Sequence, residues 1–236
     1  MNPLSILSSK GRQPSSSLKR QLVSLTVPIF IETLLIMTLG AVDTVMLSRH
    51  SDESVAAVGV VNQIVMLCFL VFEVINLGTS VLVSQYLGAR LNDRVGKVVG
   101  VSLLVNLAIG LLISSILYFK ASAILRLMGL DDVLLSEGVG YMRIVGAFAF
   151  FQALSLTASA ALRASNRAIY PMLVVGLVNL LNIFGNYVLI FGRFGAPALG
   201  VEGAAISTAA SRAIAMVILN VIPVSYTHLT LPTTSR

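Results

Sequence analysis

The sequence is poor in the residues that soluble enzymes use for chemistry. Charged residues make up only 11% of its 236 residues, whereas a soluble domain carries roughly 25%. It has two histidines, no tryptophan and a single cysteine, Cys68, so no disulfide can form within the chain. No histidine–glutamate metal spacing, nucleophile elbow or Walker-type phosphate loop occurs. These absences argue against an enzyme, and no cofactor is expected.

Long apolar runs take the place of the missing charge. Hydrophobic residues form 56% of the chain, and the mean hydropathy is +0.92. Several runs exceed the about 20 residues that a helix needs to cross a bilayer, and the alternating ten-residue strands of a membrane β-barrel are missing. We therefore predict an all-α integral membrane protein whose first partner is the lipid bilayer.

The apolar runs predict a six-transmembrane-helix bundle over residues 21–223. The spans are expected at residues 25–47, 54–86, 95–119, 138–162, 169–191 and 201–223, with a short interfacial helix near 124–128. Residues 1–20 are Ser-rich and basic, as in a cytoplasmic tail. Residues 224–236 end in SYTHLTLPTTSR, which resembles translated adapter DNA joined to an interrupted reading frame. We expect a non-native tail there; the alternative is a genuine short polar tail.

The basic residues are unevenly divided between the two sides of the bundle. Nine Lys and Arg lie on one side (four in the tail, three after the second span, two after the fourth) with one acid, Asp93. The other side has four basic and six acidic residues. Because basic loops stay in the cytoplasm, we predict a cytoplasmic N-terminus and a multi-pass protein of the bacterial cytoplasmic membrane. The net charge of +6 is explained in this way, without nucleic acid as a partner.

The first span contains two acids, Glu32 and Asp43. They are 11 positions apart, which places them on nearly one helix face and about 16 Å apart along the axis. Ionisable residues at this depth are costly and usually face a bundle interior or a water-filled cavity. Asp43 is the stronger candidate for binding a cation or proton, with pairing to Arg49 as the alternative. Glu32 has the alternative of a hydrogen bond to a neighbouring helix.

Polar side chains also mark the later spans. Asn179, Asn182 and Asn186 share one stripe of the fifth span, where amide oxygens can help a carboxylate to coordinate a hard cation. Interhelical hydrogen bonding is the alternative for this stripe. Glu73, in the middle of the second span, is a third intramembrane acid without polar neighbours on its face. Arg212, in the sixth span, needs a partner or a route to the surface.

Taken together and in order, several motifs resemble the N-terminal half of a multidrug and toxic compound extrusion (MATE) transporter. They are P-x-x-x-E with GAVDTVM in the first span, GTSVLVSQYLGA (78–89), YMRIVG (141–146), LRASNRAIYPM (162–172) and NIFGNYVLIFGRFGAPALGVEGAAIST (182–208). The resemblance covers about residues 20–222. It implies one lobe of a twelve-helix carrier, whose C-terminal lobe is missing here and would be a further partner.

The resemblance also implies roles for individual residues. The cation- or proton-binding set is Asp43, Asn182, Asn186 and Thr208, and Na⁺ would bind at the first three. Tyr141 falls on a tyrosine of the fourth span and Gln85 on the end of the second-span pattern. With Glu32, Asn179 and Glu73, they are candidates for the cavity or for coupling, although Glu73 has no counterpart in the family pattern. Asn186, where some members have an aspartate, resembles the sodium-linked NorM-like branch.

The function implied is export of organic cations or drugs, driven by Na⁺ or H⁺ entry. A flippase for lipid-linked saccharides from the same superfamily is the alternative; its cavity is expected to be basic, whereas the intramembrane charges here are mostly acidic. A membrane-embedded enzyme would need catalytic residues clustered at one interface. A non-functional fragment is the remaining alternative, because alternating access requires one lobe to move against the other.

Overall fold

A computed structural model describes residues 16–229 and shows a bundle of helices, with no strand in that part of the chain. The helices are α1 (Ser16–Ser48), α2 (Asp52–Gly88), α3 (Asn92–Phe119), α4 (Ala121–Leu127), α5 (Asp132–Ala147), α6 (Ala149–Ala164), α7 (Ile169–Phe191) and α8 (Gly200–Leu229). Five of them are long and apolar enough to cross a membrane, and the bent pair α5–α6 makes a sixth span. The predicted all-α membrane bundle is thus confirmed, as is the short helix near 124–128, which is α4.

The fourth predicted span is wrong as a straight helix. The chain bends by 46° between α5 and α6, and Phe148 at the junction leaves helical geometry with φ −108° and ψ 18°. The backbone N–H of Phe150 donates to Ser114 Oγ on α3 at 3.3 Å. A neighbouring side chain thus satisfies a backbone donor at the break, which is how membrane helices tolerate such breaks.

Two predicted helix ends are also wrong. Helix α1 begins at Ser16 rather than near residue 25, so Pro28 lies inside it rather than near its start. Helix α8 continues past Pro223 to Leu229. Membrane helices tolerate internal prolines because neighbouring groups can satisfy the freed backbone carbonyl. The remaining parts of the predicted tails, residues 1–15 and 230–236, lie outside the described residues, and the adapter origin of the last residues stays a prediction.

The bent pair occupies the centre of the bundle, with α6 packed against α2, α3 and α8. Its buried face consists largely of small residues, including Ala153, Ala158 and Ala160, which allow close approach of neighbouring helices. A buried polar network crosses this face. Asn106 Nδ2 donates to Asn76 Oδ1 at 2.9 Å and to Thr157 Oγ1 at 2.6 Å. These bonds link α2, α3 and α6.

Helices α7 and α8 approach each other closely at Gly203. A Cβ atom added there would lie 2.6 Å from the backbone oxygen of Leu189. Backbone atoms cannot turn aside as a flexible side chain can, so the helices would have to separate. Because the asparagine stripe lies on α7 and Thr208 lies on α8, this contact limits the distance between those side chains.

We predict that Gly203→Ala lowers the free energy of unfolding by about 1–3 kcal/mol, the usual cost of overpacking. The matched control is Gly100→Ala in α3, where an added Cβ meets nothing within 4 Å. That change should be neutral or stabilising by about 0.5–1 kcal/mol. The measurement is thermal unfolding in detergent, followed by reaction of the single cysteine, Cys68, with a thiol dye. Equal effects of the two changes would contradict the packing assigned to Gly203.

Candidate cation site

Asp43 is held inside the bundle by an amide from α7. Asn186 Nδ2 donates to Asp43 Oδ1 at 2.7 Å, and Asn186 is fully buried. Among the described residues, no ion pair within 4.0 Å joins Asp43 to Arg49. The structure therefore brings Asp43 to the polar stripe of the fifth predicted span rather than to the surface arginine.

Asn182 extends this arrangement to α8. It accepts from Asn186 Nδ2 at 3.1 Å and donates from Nδ2 to Thr208 Oγ1 at 3.3 Å. With its amide turned over, the Asn182 Nδ2 donates to Asp43 Oδ1 at 3.2 Å and its oxygen accepts from the Thr208 backbone N–H at 3.3 Å. The bond from Asn186 to Asn182 is then lost. Amide orientation follows from the hydrogen-bond network, so Asn182 can present either an acceptor or a donor to the carboxylate.

Tyr141 and Arg212 border the same cluster. Tyr141, buried on α5, has its hydroxyl 3.5 Å from Asn62 Oδ1 and interacts with the Thr208 side chain. Arg212 lies one helical turn after Thr208 and within electrostatic reach of Asp43 and Tyr141. We refer to Asp43, Tyr141, Asn182, Asn186, Thr208 and Arg212 as the Asp43 cluster. It contains one carboxylate, two amides, two hydroxyls and a guanidinium.

Two other candidates lie outside the cluster. Asn179 Nδ2 donates to the Leu35 backbone oxygen at 2.7 Å. It therefore links α7 to α1 by an interhelical hydrogen bond, which was the alternative interpretation of the asparagine stripe. Gln85 is exposed near the C-terminal end of α2. Neither residue directs its side chain at Asp43.

Glu32 belongs to a second group near the opposite end of the membrane part of α1. Its Oε1 accepts from Arg163 Nη1 at 3.0 Å, and its side chain is 9% exposed. The other oxygen, Oε2, is buried without a hydrogen-bond partner in the described part of the chain. Glu73 is within electrostatic reach of Glu32 and is itself exposed on the surface of the lobe. The group thus has two carboxylates and one guanidinium.

Sequence reasoning missed several participants. Arg163 was assigned to a loop, yet it ends α6 and pairs with a buried acid. Ser207 Oγ donates to the Asn182 backbone oxygen at 2.9 Å, which fixes the amide-bearing helix against α8. The network of Asn76, Asn106 and Thr157 was not singled out at all. Buried polar residues in apolar spans were a usable signal for that network, but no spacing rule pairs residues from distant helices.

Comparison with known proteins identifies the family. The sequence model of the MatE family matches residues 28–188, which is more than half of the chain. The chain therefore belongs to the MatE family, whose members are transporters and not enzymes. The MATE resemblance predicted from the motifs is confirmed.

Individual relatives agree with this assignment. The chain is 46% identical to "Uncharacterized transporter YisQ" of Bacillus subtilis over 85% of its length and 44% of that protein's. It is 29% identical to "Probable multidrug resistance protein NorM" of Thermotoga maritima, over 83% and 42%. Among solved structures, "Crystal structure of MATE in the bent conformation" matches with a TM-score of 0.78 and 25% identity, over 85% of this chain and 44% of that chain.

The chain matches only part of the length of each of these relatives. The chain spans about half the length of the curated relatives it matches. Its bundle likewise matches about half of the solved MATE structure. The described fold therefore corresponds to one lobe of the family's architecture, as the resemblance implied.

The ion pair of Glu32 and Arg163 gives a prediction about stability. Arg163→Met leaves a buried carboxylate unpaired, so we expect a loss of about 2–3 kcal/mol, near the lower end for breaking a buried pair. The double change Glu32→Leu with Arg163→Met should be less destabilising than Arg163→Met alone. Both are compared with the parent chain in the thiol-dye melt.

Arg126→Met is the matched control for the ion-pair variants. Arg126 faces Asp132 at 4.0 Å with both side chains mostly exposed, and surface pairs contribute little. Its melt should therefore match that of the parent chain. A double variant that is less stable than Arg163→Met would contradict the assignment of Glu32 as a buried charge that depends on Arg163.

Proposed function

We propose that this lobe is the ion-coupling half of an antiporter that exports organic cations or drugs in exchange for Na⁺ or H⁺. The observation that carries the proposal is the bond from Asn186 to Asp43. With the bond from Asn182 to Thr208, it brings together a carboxylate, two amides and a hydroxyl from α1, α7 and α8 inside a membrane bundle. Ionisable groups in such positions usually belong to ion or proton pathways. The T. maritima relative, named as a probable multidrug resistance protein, supports the same class of activity.

The Asp43 cluster offers oxygen ligands for the coupling ion. With Asn182 Oδ1 turned toward Asp43, the carboxylate and the amide oxygen can share a proton or coordinate Na⁺, with Thr208 Oγ1 nearby. Hard cations prefer such oxygen donors. With the amide turned over, Asn182 instead donates to the ion-free carboxylate.

We assign Glu73 to the substrate cavity, beside the buried pair of Glu32 and Arg163. Glu73 is exposed although it lies in the middle of a membrane span. A carboxylate facing lipid is costly, so in the complete carrier this face of α2 should line a water-filled cavity or meet the second lobe. Negative charge there attracts a cationic substrate. The same charge disfavours the alternative function, a flippase for anionic lipid-linked saccharides.

The complete transporter would consist of this lobe and a second six-helix lobe of the same protein. The chain's coverage of about half of its relatives supports this arrangement. The distribution of basic residues supports a cytoplasmic N-terminus in the bacterial cytoplasmic membrane. Alternating access would then move the two lobes around a substrate bound between them.

The test is efflux by the full-length carrier that contains this lobe, measured with a fluorescent organic cation in everted vesicles. Asp43→Asn should abolish efflux driven by a Na⁺ or H⁺ gradient, because the amide cannot exchange a cation. Asp93→Asn, an exposed acid in the first turn of α3, is the matched control and should behave like the parent. Gradient-driven efflux that survives Asp43→Asn would contradict the proposal.

The cavity assignment has its own test in the same carrier. Glu73→Gln should raise KM for a monovalent organic cation about tenfold, as loss of one nearby attractive charge predicts. It should leave KM for a neutral substrate and the ion dependence of transport unchanged. An equal effect on cationic and neutral substrates would show that Glu73 acts on the fold rather than on substrate charge.

A further inference from the structure

Arg212 is a half-buried cation that the proposed ion exchange does not use. It lies within a membrane span, Gly200–Val221, where an arginine is costly unless it is compensated. Its Cζ stands 5.2 Å from the centre of the Phe69 ring on α2. Its Nη1 is buried without a hydrogen-bond partner among the described residues. The guanidinium therefore contacts an aromatic ring and has one buried N–H donor without an acceptor, which is unfavourable unless a partner binds it.

The surroundings of Arg212 point to Asp43 as that partner. The ionisable groups that interact with it are Asp43 from α1 and Tyr141 from α5. From α2 it meets Phe69, and α7 contributes the neutral amides of the cluster. The described part of the chain contains no ion pair within 4.0 Å between Arg212 and Asp43. The guanidinium is therefore near the carboxylate without occupying its hydrogen-bonding positions, one of which is taken by Asn186.

We propose that Arg212 is a tethered counter-ion that competes with the coupling ion for Asp43. This inference rests on the proposed function of Asp43. When the site has no ion, the guanidinium compensates the carboxylate; when Na⁺ or H⁺ binds, Arg212 withdraws toward the Phe69 ring. Arg212 thereby weakens cation binding at Asp43 and promotes release of the ion.

The competition predicts that removing the positive charge of Arg212 raises the affinity of Asp43 for a cation. With Asp43 ionised, the two residues carry no net charge, and each added cation makes the cluster positive. A fixed positive charge a short distance from the site lowers the affinity for a second cation by about tenfold in a partly buried environment. A purely structural arginine has the opposite signature, because its removal would loosen the cluster and weaken cation binding.

The experiment compares cation binding by variants of the whole chain in lipid nanodiscs. Binding of radioactive Na⁺ and uptake of protons are titrated for the parent, Arg212→Met and Arg212→Lys, each with and without Asp43→Asn. Arg143→Met, an exposed arginine on α5, is the matched control. Thiol-dye melts establish that each variant is folded. Arg212→Gln replaces Arg212→Met if the latter does not fold.

We expect Arg212→Met to tighten Asp43-dependent cation binding about tenfold, and Arg212→Lys and Arg143→Met to bind as the parent does. If folded Arg212→Met binds the cation as the parent does or more weakly, the inference about Arg212 is overturned. The proposed function still stands in that case, provided that cation binding by the parent depends on Asp43. If Asp43→Asn changes binding in neither background, both fall. If neither uncharged replacement folds, the charge serves stability and the inference is also overturned.

Discussion

The hydrogen bond from Asn186 to Asp43 is the interaction on which the rest of the lobe depends. It places a carboxylate in the bundle without an adjacent ion pair and joins α1 to α7, and through Asn182 and Thr208 to α8. A buried carboxylate that loses such a donor has to be neutralised or paired. The bond therefore links the position of a helix to the charge state of the site. The close approach of α7 and α8 at Gly203 keeps the donors at the required spacing.

Helix α1 is attached to the lobe by polar contacts along its length and by Leu47 in the hydrophobic core. Much of its surface is exposed, whereas three contacts face the bundle: Glu32 with Arg163, the Leu35 carbonyl with Asn179, and Asp43 with Asn186. Each depends on charge or on one amide, and each is lost without opening a large apolar cavity. In the proposed function, a cation bound at Asp43 would change the last contact directly. This gives α1 a physical means of responding to ion binding, and Pro28 lies within the same helix.

Apolar length predicted the bundle, and the spacing of acids and amides singled out Asp43, Asn182 and Asn186. Their grouping with Thr208 and Tyr141 was predicted by the resemblance to the MATE family. The stripe of Asn182 and Asn186 could be predicted because helical periodicity is local. The bend at Phe148 could not, because no proline marks it and the backbone donor of Phe150 is satisfied by Ser114 on another helix. The pairing of Glu32 with Arg163 spans 131 positions of sequence, and no periodic pattern reports such a contact. Arg212 was recognised as needing a partner, but its approach to Phe69 depends on how α2 packs against α8.

The central claim is that the carboxylate of Asp43 changes its bonding when the coupling ion binds. Infrared difference spectra of the chain in nanodiscs, recorded on adding Na⁺ and on lowering the pH, measure this directly. The account predicts a carboxylate band that shifts or disappears with one of the two cations and is missing from the spectra of Asp43→Asn. Spectra of the parent and of Asp43→Asn that are identical under both conditions would contradict it.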